Sequence, residues 1–304
     1  MYICRMVEHE RPSILYQLGT LLFLVIMFTL IGQSITFLML KMGGIVMAPE
    51  MMESLQSKGD RQLLRISASV GHIVSFTVSS LIFLYLYHKT NYLRFLRAFT
   101  PSNKNLWMSF VLLIIAYPIV IKLSEWNMLV PLPEWAVQSS EQTENLIKGI
   151  LKMSDWTELL FSLFLVGITP AIGEELLYRG IVQNKLIKLS ENEHIGIWIA
   201  SFLFSLNHLQ LERLLPFMML GLILGYSYHY TKSFWVPVIL HFINNSFQVM
   251  AVYGSQDLIS ELDMNNPPLL PLWAFVLSIF ATLFIILFLK KQATEPNYEQ
   301  EPTA

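Results

Sequence analysis

The sequence predicts an all-α, polytopic membrane protein with about eight transmembrane helices. Of its 304 residues, 54% are apolar and only 14% are charged, whereas about 25% of the residues of a soluble domain are charged. Residues 16–40, 66–87 and 269–289 contain no Asp, Glu, Lys or Arg. Because about 20 apolar residues span the hydrocarbon layer of a bilayer, runs of this length predict helices surrounded by membrane lipid.

The apolar segments divide the chain into three parts. Residues 1–154 hold three spans and a possible interfacial segment, residues 155–253 hold four spans, and residues 254–304 hold the last span and a polar tail. We expect this tail to be disordered, because it buries little apolar surface. The candidate spans are approximately residues 15–40, 66–88, 107–124, 157–184, 195–211, 213–230, 234–253 and 268–290.

The segment between the second and third spans alternates aromatic or leucine residues with arginines. It runs from Tyr92 to Phe99 and contains Arg94 and Arg97. Such a pattern suits a helix that lies on the membrane surface. An ordinary basic loop is the alternative.

Composition also limits the classes of partner and site. The net charge is -2 and the basic residues are scattered, so nothing indicates a nucleic-acid partner. Cys4 is the only cysteine, which excludes an intrachain disulfide and a cysteine-based zinc site. Arg5 and Arg11 precede an apolar run that is too long for a signal peptide, so we expect the first run to be a retained helix.

The distribution of Lys and Arg between loops predicts that both termini are cytoplasmic. With eight spans, the side that carries the termini holds eleven basic residues, and the opposite side holds eight. The first set is Arg5, Arg11, Lys89, Arg94, Arg97, Lys104, Lys185, Lys188, Lys232, Lys290 and Lys291; the second is Lys41, Lys58, Arg61, Arg65, Lys122, Lys148, Lys152 and Arg213.

Ionisable side chains inside spans mark functional positions, because burying them in the bilayer is unfavourable unless they are paired or hydrated. They cluster in the second half of the chain. Two isolated histidines, His72 and His229, are interpreted as hydrogen-bonded packing residues. The clustered polar residues are Glu174, Glu175, Arg179, His208, His241, Asn244 and Asn245.

The adjacent carboxylates Glu174 and Glu175 are predicted to have different roles. Glu175 and Arg179 stand four residues apart, so they share a helix face and can form an ion pair. Glu174 points about 100° away and is the carboxylate left for chemistry. Thr169-Pro170 just before them should loosen the helix, since Pro170 has no N–H to donate. A purely structural polar clamp is the alternative reading of this motif.

Residue spacing predicts that these groups lie at one depth. The turn between the fourth and fifth spans is centred near Glu191, and Glu174 and His208 are each 17 residues from it. His241 and Asn245, one turn apart, lie roughly 14–20 Å into the seventh span at 1.5 Å per residue. A carboxylate, two imidazoles and an amide at one buried level make a plausible hydrolytic set.

Motifs of other membrane-embedded or nucleotide-dependent enzymes are missing. The sequence has no Gly-x-Ser-Gly, no His-Glu-x-x-His, no Gly-x-Gly-Asp, no Walker loop and no dinucleotide fingerprint.

Three short motifs resemble those of the CAAX proteases and bacteriocin-processing enzymes, also called the Abi or CPBP family of intramembrane proteases and related to type II CAAX prenyl endopeptidases. Glu-Glu-x-x-x-Arg is present at residues 174–179, Phe-x-x-x-His at residues 204–208 and His-x-x-x-Asn at residues 241–245. The resemblance covers roughly residues 155–250. It implies an all-helical intramembrane endopeptidase, and the compact chain suits a bacterial plasma membrane.

On this reading, a membrane-associated protein or peptide is the substrate and water is the nucleophile. Glu174 is expected to act as general base and to hold the water together with His208. His241 and Asn245 would donate hydrogen bonds to the oxyanion, while Arg179 keeps Glu175 ionised. Non-enzymatic alternatives are a membrane adaptor or bacteriocin immunity factor, and a proton-coupled transporter, which lacks the expected inverted repeats.

Whether the predicted catalytic residues bind a metal ion is left open by the sequence. Zinc or another divalent metal could bind Glu174, His208 and His241, since catalytic zinc commonly uses three protein ligands and water. We favour no metal, because no carboxylate lies near either histidine in sequence to act as its hydrogen-bond partner.

Overall fold

Every regular element in the described part of the chain is helical. The computed structural model describes residues 12–45, 55, 57–254 and 270–294, so the predicted all-α architecture is confirmed. The helices are α1 (Ile14–Met42), α2 (Lys58–His88), α3 (Tyr92–Leu96), α4 (Asn103–Met128), α5 (Glu134–Leu151), α6 (Trp156–Ser190), α7 (Glu193–Leu206), α8 (Leu214–Thr231), α9 (Trp235–Gly254) and α10 (Leu272–Thr294).

Six of these helices are long and apolar enough to cross a bilayer, which makes the chain a multi-pass membrane protein. They are α1, α2, α4, α6, α9 and α10. The other two predicted spans also form helices, but α7 has only 14 residues. Helix α8 is largely buried by its neighbours and carries polar residues such as Ser227 and His229 in its last turns. The two helices pack against each other, but α7 exposes Trp198, Ile199 and Phe202 on its outer face.

The predicted turn between α6 and α7 is present at the expected residue. Glu191 has a left-handed backbone with φ 52°, and the side chain of Asn192 accepts hydrogen bonds from the backbone N–H groups of His194 and Ile195. An Asn at this position satisfies donors that the first helical turn leaves free. The chain thus reverses where the spacing argument requires.

Pro170 loosens α6 without breaking it. The helix continues from Trp156 to Ser190, but residues Leu163–Ile168 and Leu176–Gln183 on either side of the Thr169–Glu175 segment form wider, π-helical turns. Such turns change which side chains share a face and are frequent at functional sites.

The connection between α4 and α6 contains a helix that the sequence reading did not predict. Helix α5 is fixed by Arg65, which donates from Nε to the carbonyl oxygen of Ile150 at 2.8 Å and from Nη1 to Glu158 at 2.7 Å. Arg61 also binds the Glu158 carboxylate, at 2.8 Å.

The loop positions expected for Arg61 and Arg65 are therefore wrong. Both lie in α2, and both side chains are buried against Glu158.

The short helix α3 ends where Arg97 adopts a left-handed backbone, so the segment from Tyr92 to Phe99 is only partly helical. Helix α10 extends into the predicted tail as far as Thr294. Cys4, Arg5, Arg11 and residues 295–304 lie outside the described residues.

Two apolar clusters fill the bundle. One joins α1 and α2 to α6 and α7 around Phe83, Leu177 and Phe204. The other joins α4 and α10 to α8 and α9 around Leu112, Ile223 and Leu240. The clustered polar residues lie between these two apolar clusters, where α2, α6, α7 and α9 meet.

Candidate active site

Glu174 and Glu175 are both buried in α6, but only Glu175 is neutralised by an arginine. Arg179 Nη1 donates to Glu175 Oε1 at 2.7 Å. The same guanidinium donates from Nη2 to the carbonyl oxygen of Gly221 in α8 at 3.2 Å and lies 4.4 Å from the centre of the Phe204 ring. The predicted ion pair is thus present and links α6 to α7 and α8.

His241 of α9 lies between the two carboxylates. Its Nδ1 is 2.8 Å from Glu175 Oε1, and its Nε2 is 3.9 Å from Glu174 Oε2. Because Glu175 Oε1 already accepts a hydrogen bond from Arg179, we assign His241 Nδ1 as the donor in this contact. In the neutral ring, Nε2 is then a hydrogen-bond acceptor that faces Glu174.

The other oxygen of Glu174 is held by a histidine from the N-terminal half of the chain. His72 Nε2 lies 3.0 Å from Glu174 Oε1, while Glu174 Oε2 has no hydrogen-bond partner among the described residues. Helix α2 can approach this closely because residue 173 is glycine. A Cβ built on Gly173 would lie 2.9 Å from Thr77 Oγ1 and 3.2 Å from His72 Cε1.

Sequence reasoning missed His72 as a member of this site. It expected a hydrogen-bonded packing histidine, and the hydrogen bond exists, but the partner is Glu174. The available signal was a lone ionisable group in the middle of an uncharged run, since such groups are functional by default. No local spacing connects residue 72 to residue 174, so the partner could not be named.

His208 lies in a turn rather than inside a transmembrane helix, so the predicted span 195–211 ends too late. Helix α7 ends at Leu206. The turn is held by Asn127 of α4, whose side chain donates to the carbonyl oxygen of Leu211 at 2.8 Å and accepts from the N–H of Leu215 at 2.7 Å. A short helix followed by a fixed turn places His208 below the bundle surface.

The ring of His208 is oriented by two aromatic neighbours and one carbonyl group. Its Nδ1 donates to the carbonyl oxygen of Phe204 at 2.9 Å, and the ring stacks on Phe217 with centroids 4.2 Å apart. The His208 and His241 rings both lie within 6 Å of the Phe204 ring. The shared contact with Phe204 places the His208 ring on the same side of that residue's helix as the His241 ring, and Nε2 is the ring nitrogen that the Phe204 carbonyl leaves free.

Asn245 lies one turn beyond His241 on α9. Its Nδ2 is 3.4 Å from the carbonyl oxygen of Val166, and its Oδ1 is 3.4 Å from Asn244 Nδ2. Both distances are longer than usual for such bonds. The amide is therefore weakly held and can turn to donate to another acceptor.

Comparison with known proteins assigns a family likeness to this part of the chain. Residues 156–247 match the family described as type II CAAX prenyl endopeptidase Rce1-like. The likeness predicted from the three motifs is thereby confirmed. The match contains Glu174, Glu175, Arg179, His208 and the α9 pair, whereas His72 lies outside it.

Two proteins of Bacillus subtilis (strain 168) are similar over shorter stretches. One, "Uncharacterized protein YpbD", is 36% identical over 77 residues, covering 24% of this chain and 36% of that protein. The other, "Putative membrane peptidase YdiL", is 31% identical over 83 residues, covering 27% and 34%. The chain thus matches about a third of the length of these relatives. No solved structure matches it.

The histidines carry hydrogen-bond partners that the sequence did not reveal. No carboxylate lies near His241 in sequence, but Glu175 of another helix binds its Nδ1. With Nδ1 engaged in both rings, His208 and His241 present Nε2 lone pairs, as metal-binding histidines do.

The placement of these donors does not complete a metal site. Within the described ranges, no group of three or more His, Cys, Asp or Glu side chains is arranged to hold a metal ion. We therefore assign no chemical step to a metal.

The close approach of α2 and α6 can be tested by filling the space at residue 173. Gly173→Ala should lower the apparent Tm in detergent, because overpacking a tight contact typically costs about 1–3 kcal/mol. Gly19→Ala is the matched control, since nothing lies within 4 Å of a Cβ at that helical position. If both variants melt at the same temperature, the two helices do not pack as described.

Proposed function

We propose that this chain is an intramembrane endopeptidase that hydrolyses a peptide bond of a membrane-associated protein or peptide in a CAAX-protease-like reaction. One observation carries the proposal: a buried carboxylate oxygen without a partner, Glu174 Oε2, faces an imidazole nitrogen of His241 at 3.9 Å. The imidazole is in turn oriented by the Glu175–Arg179 pair. A base, an oriented ring and an ion pair behind it are the parts of an acid–base site.

The attacking water lies between Glu174 Oε2 and His241 Nε2 in this proposal. Both atoms accept hydrogen bonds, so a water can donate one hydrogen to each. As its oxygen bonds to the peptide carbonyl carbon, the proton on the Glu174 side passes to the carboxylate. The protonated Glu174 then gives this proton to the amine nitrogen when the C–N bond breaks, leaving a carboxyl group and an amine.

His72 has a positioning role in this step. Its hydrogen bond holds Glu174 Oε1 at 3.0 Å, which leaves the other oxygen directed to the water. His208 Nε2 is a further acceptor that can hold the water, in line with the role expected from the sequence. Water in a buried, weakly screened site is held more strongly than at the surface.

Asn245 is the donor that we propose for the oxyanion. Its Nδ2 is held only by a long contact to Val166 and can donate to the negative oxygen that forms on the carbonyl. Our sequence reading also gave His241 this role. Because the Nδ1–H group of His241 donates to Glu175, the ring can donate to the oxyanion only as an imidazolium, and we propose it as an acceptor.

The family likeness and the relative named as a membrane peptidase support a CAAX-protease-like function. The position of the site among apolar helices supports a membrane-associated protein or peptide as the substrate. We further propose a bacterial plasma membrane with both termini in the cytoplasm. The excess of basic loop residues on one side supports this orientation.

Replacing each glutamate by glutamine separates their roles. Glu174→Gln should lower the turnover of a cleaved membrane peptide roughly 10²–10⁴-fold, the usual contribution of general acid–base catalysis, with little change in apparent Tm. Glu175→Gln should lower the apparent Tm clearly and turnover only partly, because it leaves Arg179 as a buried charge without its counter-ion. The measurement is cleavage of a library of membrane-anchored peptides, prenylated and unprenylated, followed by mass spectrometry.

Two outcomes would contradict this division of labour. Equal, mild losses from both variants would show that neither carboxylate is the base. Binding of intact peptides by the unmodified chain, without cleavage and unchanged in Glu174→Gln, would favour a membrane adaptor or immunity factor.

Metal removal tests the choice of a water activated without a metal. We expect full turnover after treatment with a strong chelator and dialysis, since Glu174 itself takes the proton from the water. Metal content is measured by mass spectrometry before and after treatment. Stoichiometric zinc that is lost together with activity, and restores it when added back, would contradict the metal-free mechanism; Glu174, His208 and His241 would then hold the metal, which would supply Lewis-acid activation of water.

A further inference from the structure

A second polar cavity lies at one end of the bundle, where α7 begins and α8 and α10 end. Its volume is about 230 Å³, and a water occupies about 30 Å³ in the liquid, so it has room for a phosphate group. None of the motif residues of the candidate active site lines it. Its charged and polar lining residues are Arg97, Glu193, His229, Tyr230, Lys232 and Lys290.

The cavity contains more positive than negative charge. Glu193 is its one carboxylate, and Lys290 Nζ neutralises it at 2.8 Å. Tyr230 and His229 also hydrogen-bond to Glu193, at 3.0 and 2.8 Å. Among the residues described by the structure, Arg97 and Lys232 form no ion pair with a carboxylate. Within the described ranges, two cations thus line the cavity without a counter-ion.

Both cations keep donors for a ligand. Arg97 donates one hydrogen bond, at the limiting distance of 3.5 Å, to the carbonyl oxygen of His229, and its guanidinium lies over the Tyr228 ring. Lys232 donates one bond to the carbonyl oxygen of Ala293 at 2.9 Å. A guanidinium has five N–H groups and an ammonium has three, so most of their donors are available.

The backbone that carries these two side chains is fixed. Arg97 and Lys232 both adopt left-handed conformations, with φ 55° and 53°. The two turns are joined directly, because Phe234 N–H donates to the carbonyl oxygen of Arg97 at 2.9 Å and Ser233 Oγ donates to that of Phe99 at 2.6 Å. Fixed cations bind an anion with less loss of conformational entropy than flexible ones.

We propose that this cavity binds a phosphate group, and that the anionic headgroup of a phospholipid supplies it. Arginine matches phosphate oxygens with paired donors, and lysine adds a second positive charge. The ends of α7, α8 and α10 meet at the membrane surface, where basic residues attract anionic lipids. This site is independent of the proposed peptidase activity.

The experiment measures binding of short-chain phosphatidylglycerol to the purified full chain by native mass spectrometry in detergent. Removing Arg97 or Lys232 as Arg97→Gln or Lys232→Gln should weaken binding roughly five-fold each, and the double variant roughly thirty-fold. The matched control is Arg94→Gln with Lys188→Gln. It removes the same charge from exposed positions outside the cavity and should change the affinity less than two-fold.

A variant that is expected to bind the lipid more tightly controls for misfolding. Glu193→Gln removes the one carboxylate of the cavity while keeping an oxygen for Tyr230, and should tighten phosphatidylglycerol binding several-fold. A misfolded protein would not bind more tightly. Short-chain phosphatidylcholine and inorganic phosphate are titrated in parallel to separate an anionic headgroup from free phosphate.

The binding measurements distinguish support for the proposed site from its rejection. Loss in the double variant, with an unchanged control and tighter binding by Glu193→Gln, supports the site. Inorganic phosphate that binds as tightly as the lipid would keep the phosphate site but reject the lipid as its source. Equal losses in the control and the cavity variant, or no loss in either, would overturn the proposal.

Discussion

The rest of the site depends on the buried pair of Glu175 and Arg179. A carboxylate and a guanidinium are very unfavourable inside a membrane protein unless they are paired. Here Arg179 also binds the Gly221 carbonyl and the Phe204 ring, and Glu175 Oε1 also binds His241, while Glu175 Oε2 has no hydrogen-bond partner among the described residues. The pair therefore holds α6, α7, α8 and α9 in one arrangement.

That arrangement leaves Glu174 without the arginine, and we propose it as the reactive carboxylate. Adjacent residues of a helix point in different directions, so the ion pair cannot neutralise both. Glu174 instead meets His72 on one oxygen and the His241 ring near the other. Gly173 makes this contact possible, because the two helix backbones can approach without a Cβ between them.

Much of this organisation follows from local features of the sequence. Long apolar runs predict helices because backbone groups in lipid must bond within their own segment, and each of the eight candidate segments contains a helix, although the fifth ends at Leu206. The 3.6-residue repeat predicts the Glu175–Arg179 pair, which the structure contains.

Contacts between distant segments were not predictable in this way. His72 meets Glu174 across about a hundred residues, and Glu158 binds two arginines of α2, with no spacing rule to join them. Helix α5 was missed for a related reason: its stability comes from packing and from Arg65 at its end, not from an apolar run. A single sequence shows which residues are unfavourable to bury, but not which residues they contact in the folded chain.

A double-mutant cycle on Glu175 and Arg179 tests the central claim most directly. Apparent unfolding free energies in detergent are measured for Glu175→Gln, Arg179→Gln and the double variant. A buried, mutually dependent pair predicts that the double variant loses less than the two single losses together, with a coupling of about 1–3 kcal/mol. Losses that add to within about 0.5 kcal/mol would show that the two side chains act independently and would contradict the account.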